Sequence, residues 1–135
     1  QKEHRIVMYD NVESLSFDSL GRIESIMFCD TAHYKSNKDD LFARGNVKVI
    51  AAEDPAYFGS GDKAIQALLE KPPFKLTTEA LDYIEKTGKI STDLDVVFET
   101  TRDTLYGVGF TSNQNLSNWK IFKPVGVSYR QQEGE

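Results

Sequence analysis

Residues capable of acid–base, nucleophilic or metal chemistry are present in this chain but are not assembled into a centre. There are two histidines, His4 and His33. Asp30 stands three residues before His33, a spacing that converges on a helix but sends the side chains to opposite faces of a strand. A metal centre needs three or four converging ligands, and no run supplies them, so both histidines read as solvent-facing. Cys29 is the single cysteine. It has no basic neighbour and no Cys-x-x-Cys context, so it reads as a small inert core residue rather than a nucleophile. Carboxylates gather at Asp39-Asp40, Glu53-Asp54 and Asp93/Asp95, in turns where Asp caps the backbone and faces water. A glycoside-hydrolysing pair would need a set separation across a cleft. Gly107-Val108-Gly109 lacks the third glycine and following helix of a phosphate loop. The expectation is a protein with no catalytic residues, no cofactor and no metal.

Binding is then the class to test. The 135 residues carry a net charge of −5, with a pI near 5.1. Such a surface repels phosphodiester backbones and anionic bilayers, so nucleic acid is not an expected partner. An anionic, lipid-like ligand held inside by apolar contacts is compatible with that charge. With 39% hydrophobic and 27% charged residues, the chain fits one globular domain spanning 1–135, with the polar tail 131–135 expected to be disordered. No stretch reaches the ~20 apolar residues of a membrane span. Gln1-Lys2-Glu3-His4 is no signal peptide, so any anchor would precede it.

The elements that would position a binding site are strands. Apolar residues alternate at Ile26, Phe28, Ala32 and Tyr34, at Val47 and Val49, and at Val96 and Phe98. The alternation continues through Tyr106, Val108 and Phe110, then Trp119 and Ile121, then Val125, Val127 and Tyr129. Polar turns punctuate these runs at 18–21, 36–39, 86–89 and 112–115. The pattern predicts an all-β sandwich, jelly roll or partly open barrel. One segment departs from it. Ile65, Leu68 and Leu69 have helical spacing, Asp62 is placed to cap, and Pro72-Pro73 closes the run, which predicts a short inserted helix near 62–70.

Residues 29–49 and 78–98 also align without a gap as an internal repeat. Asp30 meets Glu79, Ala32 meets Leu81, Tyr34 meets Tyr83, Leu41 meets Ile90, and Val47 meets Val96. Each copy reads as strand, polar turn and return strand, with Tyr34 and Tyr83 as equivalent core layers.

Several of these runs carry a family resemblance. Tyr9-Asp10-Asn11-Val12, Phe17-Asp18, Gly21-Arg22 and Asp30-Thr31-Ala32-His33-Tyr34 resemble the opening strands of the LptC periplasmic domain. Gly45-Asn46-Val47-Lys48-Val49 is similar to that family's glycine-led strand, and Leu76 to Tyr83 to its threonine-acid-leucine strand. Asp103-Thr104-Leu105-Tyr106-Gly107-Val108-Gly109-Phe110, ahead of Asn115-Leu116, is the most specific element. Residues 52–75 are longer than the family's usual link.

The resemblance implies a twisted, open β jelly roll of the OstA/LptA-like kind. It also implies a place at the periplasmic face of the inner membrane, as the soluble part of an anchored protein. Such a protein would receive lipopolysaccharide from an inner-membrane ABC transporter complex and pass it to an LptA-like bridge protein. An open sheet offers an apolar interior for acyl chains and edges for strand addition. The expected groove consists of Phe28, Val47, Phe98, Val108, Phe110, Trp119 and Ile121, with Tyr129 near one end. Gly107 is expected in partner interaction, against the plainer reading of a bend or bulge. Two alternatives stand beside this reading, an LptA-like bridging protein and a jelly-roll carbohydrate-binding module. The second would need an exposed aromatic platform or a carboxylate pair in a cleft.

Overall fold

A period of two puts each apolar set on one face of a strand, and that face must be covered. The computed structural model describes residues 5–35, 38–52 and 54–129. Seven strands run through them: β1 (Arg5–Phe17), β2 (Ile23–Lys35), β3 (Asp40–Ala51), β4 (Phe74–Ile84), β5 (Lys89–Glu99), β6 (Asp103–Asn113) and β7 (Lys120–Tyr129). They form one sheet in chain order, leaving β1 and β7 at its edges. Every pairing is antiparallel. The expected tail 131–135 and His4 lie outside the described residues.

Tight turns with their own chemistry hold the hairpins. In the β1–β2 turn, Asp18 Oδ1 accepts the N–H groups of Leu20 and Arg22, while its Oδ2 pairs with Arg22 Nε at 2.8 Å. These bonds, led by the Arg22 N–H, hold the Asp18 carboxyl below its usual range. Gly21 closes the turn at φ 77°, a conformation that favours glycine.

The strands are long, but each pairing slips in register near its middle, for example between Phe28 and Thr31 on β2 and between Thr92 and Asp95 on β5. Bulges bend strands and re-aim their side chains. On β3 the bend falls at Gly45-Asn46, where φ reaches 82° and 47°. A β-carbon on Gly45 would meet Asp30 Oδ2 at 2.7 Å. The glycine expected to lead this strand therefore bends its centre.

Stacked bends curl the sheet until its two arms face each other. Phe110 pairs across strands with Thr92, which lies about 20 Å from Phe98 along an extended β5. Yet the rings of Phe98 and Phe110 are centred 5.2 Å apart. They meet across the fold and not along the sheet. The interior so enclosed buries Val47, Val49, Leu76, Leu81, Val96, Phe98 and Phe110.

A second cluster lies on the opposite, outer face. Ile23, Ile26 and Ile50 are covered there by Ala64 and Leu68 of a nine-residue helix. That helix, α2 (Asp62–Glu70), occupies the predicted place, and a short α1 (Pro55–Phe58) precedes it. Asp62 does not cap α2. Gly61 holds the cap position with no side-chain bond, and Asp62 is the first helical residue, where its charge still faces the positive end of the helix dipole.

The repeat corresponds to the β2–β3 and β4–β5 hairpins. Ala32 and Leu81 are buried as equivalents, as are Val47 and Val96. Tyr34 and Tyr83 are both half-buried, and of the two Tyr83 packs against the interior cluster. Tyr34 donates its hydroxyl to Asp39, and Tyr83 donates to Glu85 at 2.5 Å.

Candidate functional site

The site follows from which side chains the bends turn inward. On β5, Phe98 is fully buried and lies at the centre of an aromatic group. Phe74 stacks on it at 6.0 Å, Phe110 packs at 5.2 Å, and Trp119 at 4.9 Å. Trp119, in the β6–β7 connection, is 40% exposed. It carries the aromatic interior out to the surface. Ile121 packs against the same interior from β7.

Of the expected groove residues, Val47, Phe98, Phe110, Trp119 and Ile121 are thus brought together. Val108 is half-buried and pairs with Lys123 of β7. Tyr129 pairs through its backbone with Asp103, and its side chain lies outside the described residues. Phe28 is a correction. It packs against the outer cluster beneath α2, with Lys48 Nζ 5.8 Å from its ring centre. The bulge between Phe28 and Thr31 separates it from Ala32, which faces the interior. Strict alternation across that bulge placed both on one face.

Sequence reasoning missed Phe74, Leu105 and Leu116. Phe74 and Leu76 alternate directly after Pro72-Pro73, a signal that the helix stop hid. Leu116 had no periodic signal, because it is a fully buried turn residue at φ 63°.

Gly107 sits where β6 and β7 slip register, opposite Pro124. A β-carbon there would lie 2.3 Å from Ile121 Cγ2 and 2.9 Å from the Lys123 carbonyl oxygen. The glycine is needed for this close approach. Beyond it, β7 shows much apolar surface: Val125 is 73% exposed, and Phe122 and Val127 are exposed too.

A cavity of about 40 Å³ opens among Met27, Leu41, Val49, Leu81, Tyr83 and Ile90.

Among the described residues, no three His, Cys, Asp or Glu side chains are grouped to hold a metal ion. His33 is half-buried on β2. Cys29 is buried, and burial is the main cause pushing its thiol pKa up. Asp40 is buried and accepts the Glu85 N–H at 3.0 Å, a structural bond. Among the described residues, no helix is long and apolar enough to cross a membrane.

In fold, the chain is similar to LptH, described as the LptA homologous periplasmic component of the conserved lipopolysaccharide transport device from Pseudomonas aeruginosa. The TM-score is 0.55 at 12% identity, over 96% of each chain. That likeness speaks to the open jelly-roll architecture. No curated protein sequence matches the chain. The family model for lipopolysaccharide-assembly, LptC-related proteins matches residues 21–130. That match spans most of the chain, and with it the protein belongs to the LptC-related family of lipopolysaccharide assembly.

Proposed function

We propose that this protein receives lipopolysaccharide from an inner-membrane ABC transporter complex and passes it to an LptA-like bridge protein. It works as a non-enzymatic, cofactor-free domain at the periplasmic face of the inner membrane. The observation that carries this reading is the aromatic interior of Phe74, Phe98 and Phe110, which surfaces at Trp119 beside the β7 edge. Acyl chains would gain roughly 0.8 kcal/mol per buried methylene there, and a few such contacts give reversible affinity.

Transfer requires a docking edge, and β7 has its two halves differently equipped. Lys120, Lys123 and Pro124 occupy its first half, and such residues discourage strand addition. Val125 to Tyr129 form its second half, where Val125 and Val127 stay exposed. A bridge protein adding a strand there would extend the interior and cover those side chains. Gly107 supports this role indirectly, by letting β7 lie close against β6.

The test is photo-crosslinking. Reactive groups at Trp119 and Tyr129 capture lipopolysaccharide, while one at outward-facing Lys120 does not. Capture from Lys120 alone would overturn the reading. Size exclusion at rising concentration separates it from an LptA-like bridging protein, which would stack end to end.

A further inference from the structure

A broad cleft lies outside the interior, at the end of the sheet where the two helices are inserted. It encloses about 880 Å³ between the two helices, the start of β4 and the β5–β6 turn. That volume falls in the range of small-molecule sites. Its lining carries an aromatic side chain presented to solvent. Tyr57 is 76% exposed, and Phe58 beside it packs against the outer cluster as an anchor. The two rings meet edge to face at 5.1 Å. Asp54 fixes this turn, since its Oδ1 and its carbonyl oxygen accept the Ala56 and Tyr57 N–H groups, each at 3.0 Å.

Around Tyr57 the lining sets charged side chains of both signs among apolar ones such as Phe58, Ala67 and the two prolines. Glu70 and Lys71 come from the end of α2, Thr101 from the β5–β6 turn, and Lys75 and Glu99 pair at 3.8 Å. We infer that this cleft is a saccharide-binding site, with Tyr57 as its stacking platform. Resting on the lipopolysaccharide reading, it holds sugar of the same molecule whose acyl chains enter the interior.

The chemistry separates a sugar from other ligands. A pyranose ring offers an apolar face to an aromatic ring and a rim of hydroxyls that both donate and accept. Carboxylates, ammonium groups and a threonine hydroxyl match that rim. Peptide anchors need a dry apolar pocket, and here the lining includes an ion pair. Asp54, Glu70 and Glu99 outnumber Lys71 and Lys75, which disfavours a phosphorylated ligand. Pro72-Pro73 stiffens the rim, so little order is lost on binding.

The probe is dephosphorylated core oligosaccharide, freed of acyl chains by mild acid. In amide NMR titrations it shifts Asp54, Ala56, Tyr57, Phe58, Lys71 and Thr101. Tyr57→Ala weakens binding by roughly tenfold while melting falls only slightly, because the exposed side chain gives up no more than its edge contact with Phe58. Shifts elsewhere only, no binding, or full affinity in Tyr57→Ala would overturn the inference. Intact lipopolysaccharide, followed by Trp119 emission, distinguishes the two readings. Lipid binding with no oligosaccharide binding defeats the sugar site alone. Oligosaccharide binding without a Trp119 response defeats the lipid interior and leaves the sugar site standing.

Discussion

Gly107 on β6 approaches Ile121 on β7 so closely that a β-carbon at Gly107 would lie 2.3 Å from Ile121 Cγ2. Inserting a methyl into such a contact costs about 1–3 kcal/mol. Gly107→Ala is therefore expected to lower the melting temperature. Gly107→Arg is expected to push β7 off the sheet and abolish binding of the bridge protein. In an Ile121→Ala background, Gly107→Ala is expected to cost less than it does in the parent but still something, because the Lys123 carbonyl oxygen still stands 2.9 Å away. Thermal melts of the single and double variants check this. A Gly107→Arg protein that melts like the parent and binds its partner would remove Gly107 from both packing and docking.

Trp119 is the single tryptophan, so its emission reports on the mouth of the interior without labelling. Partly exposed and packed on Phe98, it is expected to shift to shorter wavelength as acyl chains displace water around it. Trp119→Ala is expected to weaken lipopolysaccharide binding by roughly tenfold, about 1.4 kcal/mol. Fluorescence titration of the parent and equilibrium binding of the variant measure the two effects. An emission spectrum unmoved by saturating lipopolysaccharide would place the lipid elsewhere.

Much of this architecture was legible in the chain, because period-two alternation and helical spacing are local signals. The helix at 62–70, the hairpins of the repeat and the inward course of Val47, Phe98 and Ile121 came from them. The bends were not legible. Phe28 and Ala32 share a parity, yet the bulge between Phe28 and Thr31 sends them to opposite faces. On β6, Tyr106 is exposed and Phe110 buried although they share a parity, and register slips fall between them, at Tyr106/Gly107 against β7 and opposite Thr92–Asp95 of β5. A one-residue bulge inverts every later side chain. Only cross-strand pairing reveals it, and pairing is not local. The cleft beside Tyr57 was hidden for the same reason, since its walls come from segments distant in the chain.

Leu68 ties α2 to the outer face of the sheet. It is fully buried beside Ile23, Ile26 and Ile50, so Leu68→Ala is expected to cost about 2–5 kcal/mol. The loss should be uneven. Hydrogen exchange is expected to speed up along 62–70 and at the start of β2, while amides around Phe98 keep their relative protection. Equal acceleration at Phe98 would mean that the outer cluster and the interior unfold as one unit.

Stability is expected to fall on the alkaline side, and tyrosine is the cause. The Tyr83 hydroxyl is pushed up from 10.0 to about 12, first by burial and then by its hydrogen bond to Glu85. Tyr34 is raised as well, chiefly by donating to Asp39. A raised tyrosine pKa means that the folded protein keeps a proton the unfolded chain gives up. The stabilisation is complete below pH 10 and is lost as pH rises through the folded value. Melting temperatures should therefore decline between about pH 10 and 12. Tyr83→Phe removes the titrating hydroxyl, so its decline over that interval should be shallower than the parent's. The variant starts from a lower stability at neutral pH, having lost the bond to Glu85. A Tyr83→Phe curve parallel to the parent's across that interval would assign the alkaline loss to other groups.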